Sequence, residues 1–281
     1  MNDLLVLTKV RLNSLVVFTT AGGYYMGAAG PIHPLAMLNA CVGTALVASG
    51  AAALNQIHER RLDGLMHRTE NRPMVKGRLG VRQANVWAYG LAALGAVMLW
   101  FGANPLAAGL AVATLVLYVA VYTPLKTRTS LATVVGAVPG ALPPMIGWAA
   151  ARGSVEFVSW TLFLIMFLWQ LPHFLSIAWM YRDDYARASM PMLTVIDKDG
   201  SMTGRQAVVY ASALVPMSVL PMIFGLAGRS YGIGALVLGL TLAGVATVFA
   251  FNRSRDNARM LFLASITYLP LLLILMAVSR R

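Results

Sequence analysis

Nine mostly apolar runs, at 13–30, 35–56, 84–102, 104–123, 130–150, 158–180, 206–226, 231–251 and 260–278, follow one another with little chain between them. A helix rises about 1.5 Å per residue, so roughly 20 such residues cross the ~30 Å hydrocarbon layer of a bilayer. Lipid offers the backbone no hydrogen bonds, and apolar runs of this length read as spanning helices. The expected fold class is therefore an all-α membrane protein with nine transmembrane helices, in a single domain over 1–281. The fifth run contains "VPGALPPMIGW", with Pro139, Pro143 and Pro144 inside it. Broken backbone at that depth is tolerated only when covered by protein or facing a polar cavity, which points to an internal cavity.

Charge is sparse, at 11% of residues, against about 25% in soluble domains. The formal charge of +12 does not make this a nucleic-acid binder, because the charges fall in short segments between apolar runs. Of the 22 Lys and Arg residues, all but Arg152, Arg229, Arg280 and Arg281 fall on the side that holds the N-terminus. The positive-inside rule then predicts a cytoplasmic N-terminus and an external C-terminus; the membrane expected is the cytoplasmic (inner) membrane of a bacterium. The opening "MNDLLVLTKVRLN" carries an early acid and no small-residue cleavage pattern, so no removable signal peptide is expected. Cys41 is the sole cysteine; no internal disulfide can form, and its place in an apolar run suits packing.

Of the ten acids, all but Glu156 lie on the cytoplasmic side, where two long loops, 57–83 and 181–205, also lie. Long loops beside otherwise short connections are where chemistry is to be sought. The segment "NQIHERRLDGLMHRTENRP" places Asn55, Glu59 and Asp63 at i, i+4 and i+8, on one helical face. Two carboxylates and an amide are hard oxygen donors, of the kind that hold Mg²⁺ against a phosphate. The bland alternative is a solvated helix end with Glu59 paired to nearby arginines. "YTPLKTR" sets Tyr122 and Lys126 four apart with Arg128 beside them, either a phosphate grip or ordinary flanking charge. "WQLPHFLSIAWMYRDDYARASMPML" carries His173 at intramembrane depth and the adjacent acids Asp183 and Asp184. An ionisable residue inside the membrane is a functional hypothesis by default, against a neutral His bonded between helices. Neighbouring acids diverge by about 100° on a helix, so at most one of the pair is expected to share a cavity with Glu59. His33, His58 and His67 show no zinc-type spacing. Together these helix ends suit a diphosphate bound through Mg²⁺ at the membrane surface, its organic part in the apolar interior. A transporter of an anionic lipid would use the same electrostatics.

With these segments in view, the sequence resembles the UbiA family of membrane prenyltransferases. The resemblance runs through "TKVRLNSLVVFTTAGGYYMG", "GAAALNQIHERRLDGLMHRTENRPMVKGRL", "YTPLKTRTSLATVVGAVPGALPPMIGW" and "WQLPHFLSIAWMYRDDYARASMPML". It implies nine helices around a central cavity with a cytoplasmic polar mouth. It implies further that Asn55, Glu59 and Asp63 bind Mg²⁺-diphosphate, with Tyr122 and Lys126 on the leaving group and Arg68 and Arg72 in a capping loop over it. The family's second Asp-x₃-Asp motif is absent: its ends fall on Tyr181 and Tyr185, and Asp184, with Asp183 second, is the surviving acid for metal and catalysis. This departure and "PHF…DY" resemble the haem-farnesylating branch. The resemblance there implies farnesyl diphosphate and haem b as substrates and His173 as a haem contact. It also implies a haem A synthase or terminal-oxidase assembly partner downstream. Arginines such as Arg11 are available to haem propionates, though nothing in the sequence assigns them. The alternatives are a prenyltransferase acting on a quinone precursor or other aromatic acceptor, and a non-catalytic haem or lipid carrier.

Overall fold

The computed structural model describes residues 2–281, with all their side chains except those of Asn2, Arg11 and Leu12. The expectation for Arg11 therefore lies outside the described side chains. In chain order the helices are α1 (Asn2–Leu7), α2 (Val10–Gly27), α3 (Pro34–Asp63), α4 (Val81–Gly102) and α5 (Pro105–Val116). A π-helical turn, Leu117–Tyr122, leads from α5 into a short α6 (Thr123–Leu125). Then come α7 (Ala132–Gly140), α8 (Pro143–Arg152), α9 (Trp160–Met180), α10 (Arg182–Arg187) and α11 (Leu193–Ile196). Three long helices close the chain: α12 (Ser201–Ile223), α13 (Arg229–Phe251) and α14 (Arg255–Val278). The chain forms two compact units, one from 1–128, 142–155 and 187–189, the other from 129–141, 156–186 and 190–281.

Among the described residues, eight helical segments are long and apolar enough to cross a membrane, against the nine expected. The difference lies in the first run, 13–30. It is helical, as α2, but Arg11, Asn13, Ser14, two threonines and three glycines in its 18 residues make it too polar by composition. The glycines have a packing reason. A Cβ on Gly23 would lie 1.9 Å from the Pro144 carbonyl oxygen, and one on Gly147 would lie 2.0 Å from that of Thr20. α2 and α8 therefore meet backbone to backbone, the small-residue contact that membrane helices use where no hydrophobic force draws them together.

The proline-rich fifth run breaks as expected. α7 ends at Gly140, and Pro143 and Pro144 restart the chain at the first turn of α8, where a missing N–H costs nothing. Of the most apolar window in Ala132–Arg152, 72% is buried, against 22% in Pro105–Leu125, so protein covers the break. Gln170 of α9 donates from Nε2 to the Ala137 carbonyl (2.8 Å), adding a partner for α7 next to the break.

The lengths of two helices set up the site. α3 has 30 residues, so it extends about 45 Å, and its last ten residues exceed what a ~30 Å hydrocarbon layer requires. Those extra turns carry Asn55, Glu59 and Asp63. The π turn before α6 shifts the register of the following residues, and such turns recur at functional positions.

Gly23→Ala and Gly147→Ala should each push α2 from α8 and lower stability by about 1–3 kcal/mol. Gly109→Ala, in the interior of α5 with open space around the added carbon, should not lower it and should raise it by up to about 1 kcal/mol. Thermal unfolding in detergent checks this; equal melting of all three variants with the parent would refute the close-contact account.

Candidate functional site

Asn55, Glu59 and Asp63 are buried (1%, 6% and 1% exposed), while His58, Arg60 and Arg61 between them face solvent. The solvated-end alternative therefore fails for the ladder face. A buried carboxylate needs a cation and hydrogen bonds to remain ionised. Each acid has its own. Lys126 Nζ donates to Glu59 Oε1 at 2.7 Å, and Arg72 Nη1 donates to Asp63 Oδ2 at 2.6 Å. Arg72 reaches Asp63 because the loop after α3 turns back on itself, with the Thr69 hydroxyl donating to the Asp63 carbonyl at 2.8 Å. Arg68, on the same loop, is exposed.

Lys126 also sits over the Tyr122 ring, 4.5 Å from its centroid, and Tyr118 lies 5.2 Å from Tyr122. Burial lowers the Lys126 pKa, but Tyr122, Glu59 and Tyr118 raise it and the net shift is upward. The ammonium stays charged. The π turn adds a further constraint on the ladder. The Thr123 hydroxyl donates to the Tyr118 carbonyl (2.9 Å) and so accepts from Asn55 Nδ2 at 3.1 Å. The Asn55 amide is thereby fixed, with Oδ1 turned the other way.

That oxygen meets a residue that sequence reasoning did not single out. Lys9 Nζ lies 3.5 Å from Asn55 Oδ1. Lys9 has φ 49° and ψ 49°, a left-handed conformation that costs a non-glycine residue free energy and persists only where its surroundings impose it. They do. Gln56 Nε2 donates to the carbonyls of Val6 (3.3 Å) and Leu7 (2.6 Å), and Asn13 Nδ2 donates to the Thr8 carbonyl (2.9 Å) and to Ser49 Oγ (2.8 Å). These bonds pin the α1–α2 corner to α3. Burial is the largest influence on the Lys9 ammonium and pushes its pKa down, with Arg72 and Lys126 adding like-charge repulsion. Thr123 and Lys9 left no sequence signal beyond lying in "YTPLK" and "LTKVRL", since both depend on non-helical turns.

The site's capacity for a metal follows from its donors. Among the described residues, no three His, Cys, Asp or Glu side chains cluster to hold a metal alone. The ladder offers two carboxylates and an amide oxygen, a partial set that suits Mg²⁺, which keeps waters and shares phosphate oxygens. Asp63 Oδ1 is buried without a hydrogen-bond partner, an acceptor oxygen left open for a cation. The residues present fit the ion.

The other expected residues belong to the second unit. Asp183 is exposed, its side chain 89% accessible, whereas Asp184 is buried. His173 of α9 bonds Ser265 of α14 through Nδ1 at 2.8 Å. The remaining histidines have ordinary roles: His58 bonds the Leu54 carbonyl, His67 pairs with Glu70 at the surface, and His33 precedes α3.

The profile of the UbiA prenyltransferase family matches residues 15–266. A protoheme IX farnesyltransferase of Solibacter usitatus is 46% identical, covering 100% of this chain and 99% of that protein. Among solved structures, one concerning digeranylgeranylglyceryl phosphate synthase superposes with TM-score 0.82 at 17% identity, covering 99% of this chain and 97% of that one. A UbiA homologue from Archaeoglobus fulgidus bound to GPP and Mg²⁺ superposes with TM-score 0.67 at 13% identity, covering 98% and 99%. At those identities the structures attest the fold, while the family match and the 46% identical relative attest descent. This chain is a multi-pass membrane protein and belongs to the UbiA prenyltransferase family.

Proposed function

We infer that this chain transfers the farnesyl group of farnesyl diphosphate to the 2-vinyl group of haem b, giving haem O. The buried, paired ladder is the observation that carries the reading: Glu59 with Lys126, Asp63 with Arg72, and Asn55 with Lys9. It supplies both signs of charge that a metal diphosphate requires, and the similarity to a protoheme IX farnesyltransferase over the full chain supports haem as acceptor.

In this proposal Asn55, Glu59 and Asp63 hold Mg²⁺, and Asp184 keeps the metal and catalytic role that the resemblance alone gives it. When bound, Mg²⁺ neutralises diphosphate charge and so favours its departure. The chain's own cations do the rest. Lys126, Arg72 and Lys9 turn from the ladder acids to the diphosphate oxygens, with Arg68 reaching in from the capping loop. The farnesyl C1–O bond breaks and its electron pair leaves with diphosphate; Lys126, set by Tyr122, stabilises that developing charge. The vinyl carbon of haem b takes up the allylic carbon. The cation left beside the porphyrin is captured by water, which loses a proton and completes the hydroxyethylfarnesyl side chain. Apolar walls keep water from the farnesyl cation before the vinyl group reaches it. No covalent enzyme intermediate is required.

The proposal also sets the chain in a bacterial inner membrane; the distribution of basic residues supports a cytoplasmic N-terminus and an external C-terminus. Its product would pass to a haem A synthase or a terminal-oxidase assembly partner.

Asp63→Asn should lower farnesylated haem formation by about 10²–10³-fold, with membrane insertion, followed by fractionation, unchanged; parental turnover would remove Asp63 from the metal site. Lys126→Met should lower kcat by about 10²-fold with little change in the KM for haem. An unchanged kcat with a raised KM for farnesyl diphosphate would make Lys126 a binding group only. Chelation should abolish turnover and added Mg²⁺ restore it; activity persisting in chelator would contradict the ladder's role.

A further inference from the structure

His173 is held on several sides by aromatic rings and by one hydroxyl. Its imidazole lies nearly parallel to Trp169 (centroids 5.1 Å apart, planes 19°) and to Phe262 (5.2 Å, 25°). Trp169 is one turn before it on α9, and Phe262 is one turn before Ser265 on α14. The ring cannot tumble without displacing both.

The proton positions follow from counting donors. Ser265 Oγ lies 2.6 Å from the Phe262 carbonyl oxygen, which has no hydrogen to give. Two oxygens that close must share a proton, and the hydroxyl has only one. It is spent on Phe262. Ser265 Oγ can then only accept at its second contact, 2.8 Å from His173 Nδ1. Nδ1 therefore carries a hydrogen. In a neutral imidazole the other nitrogen, Nε2, then holds a bare lone pair. Among the described residues, Nε2 has no hydrogen-bond partner, and the ring is only partly buried. Ser265 itself is fully buried, and its carbonyl accepts from Trp169 Nε1 at 2.7 Å. One residue on α14 thus orients both the imidazole and the indole beside it.

A neutral imidazole with its Nδ1–H bonded into the protein and its Nε2 left open is the arrangement of a histidine that ligates a metal. A histidine serving only to join two helices would have no reason to keep Nε2 free. We propose that Ser265 is a positioning residue that locks His173 in the Nδ1–H form and so presents Nε2 to the iron of the haem substrate. The proposal rests on haem b being the acceptor. Its consequence is that the macrocycle is anchored by the iron, while the vinyl group at its edge is the part that reacts. Ser265 would then act on haem affinity and on the electron donation of His173.

The test is a titration of the purified full-length protein with haem b in the absence of farnesyl diphosphate. The Soret band gives affinity, and resonance Raman of the ferrous complex gives the iron–histidine stretch. The parent should show that stretch and His173→Ala should lose it. Ser265→Ala should bind haem about 10- to 100-fold more weakly and shift the stretch to lower frequency; Ser265→Thr, which keeps a hydroxyl, should restore both. Melting temperatures identify any variant that has lost its fold, and the Thr variant carries the test if Ala unfolds. A stretch at the parental frequency in Ser265→Ala, with His173→Ala lacking it, would overturn the role of Ser265 while leaving His173 as ligand. A stretch that survives in His173→Ala would overturn both residue assignments but not the haem reaction. Failure of the parent to bind haem would overturn the haem reading itself.

Discussion

Glu59 and Asp63 are carboxylates buried at the end of an apolar helix, and neither can remain there as an anion without a cation in contact. Breaking such a pair by removing one partner costs roughly 3–5 kcal/mol, because the other charge stays buried. Much of the first unit's polar end is arranged around this need. The loop after α3 returns to bring Arg72 to Asp63, the π turn and α6 bring Lys126 to Glu59, and the α1–α2 corner adopts a left-handed residue that puts Lys9 at Asn55. Three separate segments each contribute one positive charge to one rung.

The proposed reaction would use the same pairing for ligand exchange. A divalent cation would compete with Lys126, Arg72 and Lys9 for the ladder oxygens, and a diphosphate would compete with the ladder for those three side chains. Either ligand alone would strand charges of one sign. Both together would leave each group with a partner, so the proposal expects the metal and the diphosphate to bind jointly. Asp63 Oδ1, buried and unpartnered, is the point at which the present pairing falls short of that state.

Much of this was legible in the sequence, and the remainder was not for identifiable reasons. The four-residue spacing of Asn55, Glu59 and Asp63 put them on one face, but their burial could not be read from "HERRLD", where exposed arginines alternate with buried acids. The break at Pro143 and Pro144 was visible because proline forbids a continuous helix. The first run reads as an ordinary span, yet its glycines serve a backbone contact with α8, a partner more than a hundred residues away in sequence. Asp183 and Asp184 are equivalent in composition and separated only by the turn of α10. Lys9 and Thr123 carry no signal in the sequence because a left-handed corner and a π turn place them, and neither turn is announced by its residues. The second unit's Ser265 lies in an otherwise unremarked apolar run, 92 residues from the histidine it orients.

Transfer of a farnesyl group onto haem b by this chain is tested most directly by mass spectrometry of the haem extracted after reaction. Purified protein incubated with haem b, farnesyl diphosphate and Mg²⁺ should yield a haem heavier by one farnesyl group and one hydroxyl. Recovery of unmodified haem b from folded, haem-binding protein would contradict it.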